Sequence, residues 1–209
     1  MNTSMDLPLS LPAECTVVFN AGDLRGVVLG EADIPALQQF FEANPLYFET
    51  VNGQSPRSDE ARQEFDDLPP AGMPFSGRWL IGLVDAAGRL QGMASVLSDF
   101  LADGVWHVGL FIVDTRLHGR GMAAAAYHAM EAWMQAGGAR WLRLGAVIGN
   151  RRAEHFWPKV GYRQVRLREG VQTGLRISTL RVFVKPLGDA GIDDYLQRVA
   201  RDRPDSALR

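Results

Sequence analysis

A loop suited to phosphate binding is the part of this chain with the clearest chemistry. Residues 116–124 read RLHGRGMAA, so Arg116, Gly119 and Gly121 precede an alanine-rich stretch. A helix start leaves its first N–H groups without internal partners and carries the positive end of the helix dipole, so an anion is stabilised there. Glycine lacks the Cβ atom that would hinder a close ligand. The spacing therefore predicts that backbone amides of this loop bind a phosphate or diphosphate.

A second group of residues lies further along the chain and combines polar, small and aromatic side chains at fixed intervals. Its members are Asn150, Ala153, Phe156, Trp157, Gly161 and Tyr162. Asn150 precedes a predicted helix, where asparagine is a preferred N-cap. Its side chain is therefore expected either to cap that helix or to contact the ligand of the glycine loop. Trp157 is expected either to pack near that ligand or to fill the core.

The order of predicted elements determines where these two groups lie. Hydrophobic periodicity predicts strands over 24–29, 78–84, 90–99, 105–113, 141–147, 162–168 and 178–184, and helices over 32–43, 119–135, 151–159 and near 192–199. Short turns favour antiparallel pairing of the strands between 78 and 113. A strand–helix–strand unit then implies a parallel crossover. We expect an α/β fold with a mixed sheet of about six or seven strands and helices on both faces.

The chain is predicted to contain one folded domain. Residues 1–22 are expected to form an irregular lead-in, 23–187 the domain, and 188–209 a docked C-terminal helix and tail. Residues 52–77 contain four prolines and predict a long loop with a short helix near 59–65. Acidic residues of that short helix are expected to be exposed, although they could attract a cationic amine.

Composition excludes several classes of function. The net charge of -2 gives no positive excess for nucleic-acid binding. The apolar runs are too short for a membrane span, and the N-terminus lacks the features of a signal peptide, so we expect a cytoplasmic protein. Cys15 is the single cysteine, and the four histidines lack a metal-ligand spacing, so no metal site is expected.

Together the two groups of residues resemble the GNAT superfamily of N-acetyltransferases. Arg116, Gly119 and Gly121 follow the family's R/Q-x-x-G-x-G/A diphosphate loop, and the second group follows N-x-x-A-x-x-F-Y-x-x-x-G-F. Trp157 and Tyr162 depart from that second pattern. The resemblance extends from about Trp79 to Leu187. It implies acetyl-CoA as co-substrate, bound where the strand ending at Val113 splays from its parallel neighbour.

The resemblance also implies which residues contact acetyl-CoA. The backbone of Phe111, Ile112 and Val113 would pair with the pantetheine arm, and Asn150 would bond it from the second strand. Phe156 and Trp157 would lie near the cofactor. The diphosphate would be held by the loop formed by Arg116, Leu117, His118, Gly119, Arg120, Gly121 and Met122. The reaction implied is direct attack of an amine on the thioester carbonyl, aided by a backbone N–H at the developing oxyanion.

The acid and base of this reaction are less well defined by the sequence. Many relatives have a tyrosine at the position of Trp157 to protonate the departing thiolate, and indole cannot replace it. Tyr127 and Tyr162 are the replacement candidates. For the base we predict His107, because strand alternation would place it on one face with Phe111, and its ordinary pKa near 6.5 suits proton acceptance. Asp99 is the second candidate.

The acceptor is predicted to be a small primary amine bound near Tyr47, Phe48 and Glu49, with a peptide N-terminus or a protein lysine less favoured. Two other functions are considered. One is a CoA-binding regulatory or scaffold protein without turnover. The other is a dinucleotide-binding oxidoreductase, since Gly119-x-Gly121-x-x-Ala124 also fits G-x-G-x-x-G/A. No acid follows the next strand to hold a ribose, which counts against it. A homodimer is left open.

Overall fold

The computed structural model describes residues 16–208, and eight strands of that stretch form one mixed sheet. The strands are β1 (Val17–Ala21), β2 (Leu24–Val28), β3 (Gly77–Val84), β4 (Leu90–Ser98), β5 (Val105–Val113), β6 (Trp141–Val147), β7 (Arg163–Thr173) and β8 (Arg176–Pro186). Their order across the sheet is β1-β2-β3-β4-β5-β6-β8-β7. Within the described residues, β5 and β6 are the parallel pair and the other neighbours are antiparallel.

Helices cover both faces of the sheet. They are α1 (Ile34–Ala43), α2 (Leu46–Val51), α3 (Glu60–Asp66), α4 (Met122–Ala136), α5 (Arg151–Lys159) and α6 (Ile192–Arg198). α4 and α5 pack on one face through buried residues such as Met130 and Trp157. α1 to α3 pack on the other face, where Leu37 and Phe41 are fully buried. α6 covers the β6 and β8 end of that second face through Tyr195.

A β-bulge interrupts the alternation of β5. Val96 of β4 lies opposite Val108, whereas the preceding residue Ser95 lies opposite Leu110, so Gly109 is an extra residue in the ladder. An extra residue reverses which face the following side chains point to. Odd-numbered residues of β5 before Gly109 therefore point to one face of the sheet, and odd-numbered residues after it point to the other face.

The bulge overturns one expectation about His107. Phe111, beyond the bulge, faces α4 and α5, since its ring lies 6.3 Å from that of Tyr127 and 5.9 Å from that of Trp157. His107, before the bulge, lies on the opposite face and stacks on Phe100 with ring centres 4.7 Å apart. The prediction that His107 shares a face with Phe111 is wrong, because strict alternation does not pass through a bulge.

Most predicted elements are present, with four main differences, of which the first is α2 (Leu46–Val51), where no helix was expected. Residues 17–21, expected to be irregular, form the edge strand β1, whose pairing with β2 satisfies the backbone groups on one side of the strand. The sheet has eight strands within residues 16–208 rather than six or seven. α4 starts at Met122 rather than at Gly119 because the preceding residues form the loop. Cys15 lies outside the described residues. Within residues 16–208, no helix is long and apolar enough to cross a membrane.

Candidate acetyl-CoA and acceptor site

The sheet opens between β5 and β6. Their ladder runs from Val105 opposite Trp141 to Val108 opposite Leu144 and ends there, although β5 continues to Val113 and β6 to Val147. The expected splay of the parallel pair is therefore present. The edge of β5 beyond Val108 is left with backbone groups that a ligand could pair with.

The backbone of Phe111 and Val113 faces this gap. The carbonyl oxygen of Ile112 points to β4, because it lies 2.8 Å from the position that a Cβ atom on Gly92 would take. Backbone groups alternate in direction along a strand, so those of Phe111 and Val113 point away from β4, toward the gap. An extended amide-containing ligand therefore meets donors and acceptors here.

His118 contacts the end of β5 and the start of α5, on the two sides of the opening. Its Nε2 lies 2.9 Å from the carbonyl oxygen of Val113, and its Nδ1 lies 3.0 Å from Nη1 of Arg152 at the start of α5. Because a carbonyl only accepts and a guanidinium only donates, Nε2 carries the hydrogen. In this arrangement His118 links the end of β5 to α5, and its expected contact with the cofactor stays a prediction.

The glycine loop has the conformation that close anion binding requires. Gly119 and Gly121 have φ of +78° and +77°, and no described atom lies within 4 Å of a Cβ built on either residue. The first amide bonded along α4 is that of Ala125, which donates to the carbonyl of Gly121 at 3.0 Å. The amides of residues 122–124 therefore point beyond the helix start, toward the space left open by the glycines.

The strand end that enters the loop is held by Asp114. Its buried carboxylate accepts from the backbone N–H of Arg116 at 2.8 Å and pairs with the Arg116 guanidinium at 2.6 Å. Although burial alone would raise it, these hydrogen bonds lower the pKa of Asp114. Asn44 at the end of α1 accepts from the N–H of Thr115 at 2.9 Å. The sequence motif's arginine thus orders the loop through Asp114.

Asn150 caps α5, one of the two roles expected for it. Its Oδ1 accepts from the N–H of Ala153 at 3.2 Å. That bond uses the side-chain oxygen and leaves the amide NH₂ group, which donates to no described residue. Capping and a contact with the cofactor are therefore compatible, because they use different atoms.

The aromatic residues of the second motif form one cluster around Trp157. Its ring centre lies 4.9 Å from that of Phe156, 5.3 Å from that of Tyr162 and 5.6 Å from that of Tyr127. Trp157 is 7% exposed and Tyr162 is 3% exposed. Burial raises the pKa of both tyrosine hydroxyls, which makes them poorer acids. This cluster packs β5 against α4 and α5 and gives little support to Tyr127 or Tyr162 as proton donors.

A cavity of about 450 Å³ lies on the opposite face of the sheet, at the level of the gap. Gly109 and Gly145 line it, and each directly follows the last residue of its strand that takes part in the β5–β6 ladder. Because neither has a side chain, the gap stays open toward the cavity. The other lining residues are Glu64, Asp67, Leu68, Pro69, Pro70, Met73, Arg78, Ser95, Leu97, Phe100, His107, Arg143, Arg168, Val171, Leu180, Val182 and Arg201.

Glu64 is the carboxylate in this cavity with a pKa near neutrality. Burial, followed by the nearby acids Asp67 and Glu60, raises the pKa of Glu64 to about 7, against hydrogen bonding by Ser95 and the charge of Arg78. α3 is fixed over the sheet because Arg78 Nη1 donates to the carbonyl of Phe65 at 2.6 Å. The expectation that the acidic residues of this helix are exposed is therefore wrong for Glu64, which tertiary packing places in the cavity.

The two predicted bases have other surroundings. Burial, then the charge of Arg143, lowers the pKa of His107 to about 3, so its imidazole is neutral at pH 7. Its Nδ1 lies 3.1 Å from the carbonyl oxygen of Arg143. Asp99 accepts from the N–H of Gly104 at 2.8 Å and closes the turn between β4 and β5. His107 lines the cavity but is too weak a base for the predicted role, and Asp99 serves the turn.

The three residues predicted to form the acceptor pocket do not line the cavity. Phe48 is 3% exposed and packs edge-on against Phe41 at 4.9 Å. Glu49 is exposed and accepts from the Ser55 hydroxyl at 3.0 Å. Tyr47 is half-buried, and burial, then the charges of Glu64 and Glu60, raises the pKa of its phenol. The role of these three residues in acceptor binding stays a prediction, and the cavity is lined instead by Glu64 of α3 and by the residues that follow that helix.

The C-terminal segment completes the cavity. Arg143 of β6 pairs with Asp202 in the 3₁₀ turn Ala200–Asp202, with Nε 2.6 Å from Oδ2. Tyr195 of α6 donates its hydroxyl to the same oxygen at 2.5 Å. These contacts hold the turn against the sheet, so that Arg201 lines the cavity. Within residues 16–208, no cluster of His, Cys, Asp and Glu is arranged to hold a metal ion.

Comparison with known proteins agrees with this geometry. Residues 37–162 match the model of the acetyltransferase (GNAT) family. Since this match spans more than half of the chain, the protein belongs to that family, and the resemblance seen in the two motifs is confirmed. No curated protein matches the chain significantly. The alternative doubly wound, dinucleotide-binding fold is excluded, because the described sheet is mainly antiparallel.

Solved structures show the same fold at low sequence identity. An acetyltransferase from Thermus thermophilus is 20% identical with a TM-score of 0.64, covering 80% of this chain and 99% of that one. A Salmonella typhimurium acetyltransferase that modifies the N-terminal serine of ribosomal protein L7/L12 is 12% identical with a TM-score of 0.64, covering 84% and 100%. Vibrio cholerae spermidine N-acetyltransferase with CoA and spermine is 12% identical with a TM-score of 0.59, covering 78% of this chain and 95% of that one.

Proposed function

We propose that this protein transfers the acetyl group of acetyl-CoA to a small primary amine bound in the cavity. The observation that carries the proposal is the position of Gly109 and Gly145. They lie where the β5–β6 ladder ends and line a cavity that also contains Glu64. The gap has the glycine loop on one face of the sheet and an amine-sized cavity on the other. Direct transfer requires this arrangement, because the thioester and the amine must meet at the gap.

The residues present fit acetyl-CoA as co-substrate. Its diphosphate would be held by the amides of the loop from Arg116 to Met122, with Gly119 and Gly121 allowing close approach. Its pantetheine arm would pair with the gap-facing backbone of Phe111 and Val113 and with the Asn150 amide. When bound, acetyl-CoA supplies a thioester carbonyl for attack by the amine. A gap-facing N–H of β5 would stabilise the negative charge that develops on the carbonyl oxygen.

Glu64 is the residue we assign as general base. An amine must lose a proton before it attacks, and a primary ammonium resembles lysine, with an ordinary pKa of about 10.4. A carboxylate whose pKa is raised to about 7 is a stronger base than an exposed glutamate and is still substantially ionised at neutral pH. Glu64 lines the same cavity as Gly109 and Gly145, and we propose that it accepts the proton directly or through one water molecule. His107 is not assigned this role because its pKa lies far below neutrality.

No side chain is assigned as the acid. Trp157 replaces the tyrosine of many relatives, and the hydroxyls of Tyr127 and Tyr162 are buried in the aromatic cluster. A thiol has an ordinary pKa of about 8.5, so CoA can depart largely as thiolate near neutral pH. The reaction therefore does not depend on a dedicated proton donor.

The size of the cavity supports a small acceptor. A volume of about 450 Å³ falls within the range of small-molecule sites. Structural neighbours include enzymes named for spermidine and for a ribosomal protein N-terminus, so the fold alone does not decide between the classes. We favour a small amine over a peptide N-terminus or a protein lysine.

The test is thiol release from acetyl-CoA across a panel of small amines, peptides and lysine-containing proteins. We expect turnover with small primary amines and loss of turnover in Glu64→Gln. Thermal shift with CoA and with NAD(H) measures ligand binding separately, and CoA is expected to raise the unfolding temperature. Stabilisation by CoA without turnover of any amine would favour the regulatory or scaffold function instead. Turnover of peptide N-termini or protein lysines alone would reject the small-amine acceptor.

A further inference from the structure

The cavity is acidic at one end and basic at the other. The cavity extends across the strands of the sheet from β3 to β7. Arg78 of β3 lies at the end beneath α3, and Arg168 of β7 lies at the end near the sheet edge. Glu64 and Asp67 line the end near α3, and Arg168 lines the end near β7. Because neighbouring strands are about 4.8 Å apart, Arg168 on β7 starts roughly 10 Å from the β6 edge of the gap. A long side chain can span much of that distance.

The arginines of the cavity differ in their existing contacts. Arg143 is paired with the buried Asp202, and Arg78 donates to backbone carbonyls at the end of α3. Both therefore stabilise the fold. Arg168 pairs with Leu180 through the β7–β8 ladder, whereas its side chain makes no hydrogen bond or ion pair with any residue between 16 and 208 that the structure describes. This guanidinium has all its donors available to a ligand.

The surroundings of Arg168 favour an anion. Burial, then the positive charges of Arg201 and Arg143, lowers the pKa of Arg168, with Asp202 opposing that effect. The same repulsion acts on Arg201, whose pKa is lowered by burial and then by Arg143. An oxyanion between Arg168 and Arg201 would relieve the repulsion and accept charge-assisted hydrogen bonds.

We propose that the acceptor is a zwitterionic amine, a small molecule whose primary amine is joined by a short chain to a carboxylate or another oxyanion. The amine lies at the gap between Gly109 and Gly145, within reach of Glu64, and the oxyanion binds at Arg168 and Arg201. This inference rests on the proposed acetyl transfer and defines its substrate class. The two ends of the cavity thereby fix the orientation of the acceptor.

The first experiment compares matched acceptors by thiol release from acetyl-CoA. The panel contains aminocarboxylates from glycine to 6-aminohexanoate, their primary amides, the alkylamines that lack the carboxyl group, and the corresponding aminophosphonates. We expect kcat/KM for the best aminocarboxylate to exceed that of its amide at least tenfold. The chain length of that acceptor measures the separation between the gap and Arg168. Aminophosphonate turnover would place phosphonates in the same oxyanion class.

The second experiment uses Arg168→Gln with Arg163→Gln as matched control. Arg163 lies on the same strand, is exposed and does not line the cavity. In Arg168→Gln we expect KM for the aminocarboxylate to rise at least tenfold, while kcat for the same acceptor changes little. The KM for the corresponding amide should not change. Arg163→Gln should match the wild type. Equal unfolding temperatures with CoA would show that both variants fold and retain the co-substrate.

Three outcomes would overturn the inference, and a fourth would reject the proposed acetyl transfer on which it rests. Amides and alkylamines used as well as aminocarboxylates would remove the need for an oxyanion while leaving acetyl transfer in place. Equal effects of Arg168→Gln on charged and uncharged acceptors would give Arg168 a structural role only. Turnover of peptides in the absence of turnover of free aminocarboxylates would assign the site to a macromolecule. Absence of thiol release with every amine would reject acetyl transfer itself.

Discussion

Arg143 and Asp202 form a two-point ion pair between the central strand β6 and the C-terminal turn. Nε lies 2.6 Å from Oδ2 and Nη2 lies 3.0 Å from Oδ1, and both side chains are almost fully buried. A buried charge left without its partner is costly, whereas the intact pair is compensated by its hydrogen bonds. The pair therefore determines whether the C-terminal segment stays on the sheet and in the cavity wall.

Replacing Asp202 by alanine is expected to lower the free energy of unfolding by about 3–5 kcal/mol, because Arg143 would stay buried without its carboxylate. Urea unfolding followed by tryptophan fluorescence measures this change. Asp205→Ala is the control, since Asp205 is exposed in the same segment. A loss no larger than that of the control would mean that the pair adds nothing to stability.

The same pair predicts a pH dependence of stability. Although burial opposes it, hydrogen bonds from Arg143 lower the pKa of Asp202 below its ordinary 3.8. Because the unfolded state binds the proton more readily, the pair's contribution to the free energy of unfolding is fully present above pH 3.8. That contribution is lost as pH falls through the lower pKa of Asp202 in the folded state. Asp202→Ala should therefore show a weaker loss of stability in acid than the wild type.

Glu64→Gln is expected to reduce kcat by about 10²-fold or more and to remove a rise in kcat/KM through pH 7. The rise occurs because the carboxylate, not the acid, accepts the proton. The raised pKa of Glu64 means that its charge destabilises the fold, so stability falls as pH increases from about 4.5 to 7. Glu64→Gln should thus be at least as stable as the wild type at about pH 8. Asp66→Asn, an exposed position of the same helix, should change neither property.

Replacing His107 by asparagine separates the two candidate bases. Because burial and Arg143 lower the pKa of His107 to about 3, this variant should keep the activity transition near pH 7. A pH–rate profile of kcat/KM in wild type, His107→Asn and Glu64→Gln makes the comparison. Loss of the transition in His107→Asn with its retention in Glu64→Gln would return the base role to the histidine.

Gly119→Ala is expected to weaken CoA binding more than it weakens the fold. An alanine at φ of +78° is strained by about 1–2 kcal/mol, and its methyl group would enter the space left for the diphosphate. Gly138→Ala is a matched control, because Gly138 has φ of +100° and also has no described atom within 4 Å of a Cβ, but lies at the far end of α4. Calorimetric titration with CoA should show reduced affinity for the first variant only.

Features with local causes could be predicted from the sequence. The loop glycines, the α5 cap at Asn150 and the strands with clear alternation follow from backbone geometry and short-range hydrogen bonding, and their positions agree with the structure. Strand–helix–strand order also implied the parallel pair. These features need little information about distant parts of the chain.

Features that depend on distant contacts were missed. The bulge at Gly109 arises from the register between β4 and β5, and it moved His107 away from the face of Phe111. Glu64 lies on a short helix whose charges alone indicate exposure, but packing on β3 and β4 places it in a cavity. Arg168 and Arg201 line the same cavity only because the C-terminal segment folds back over the sheet. No local pattern encodes these contacts.

The glycine loop and the basic end of the cavity come from separate stretches of chain. The loop and gap lie within residues 37–162, where the family match falls, whereas Arg168 and Arg201 follow it. If the acceptor's oxyanion binds at Arg168 and Arg201 as proposed, substitutions in the last two strands and the C-terminal turn will alter acceptor preference while leaving CoA affinity unchanged. Exchanging residues 163–208 between relatives of this fold would be a direct way to move that preference from one enzyme to another.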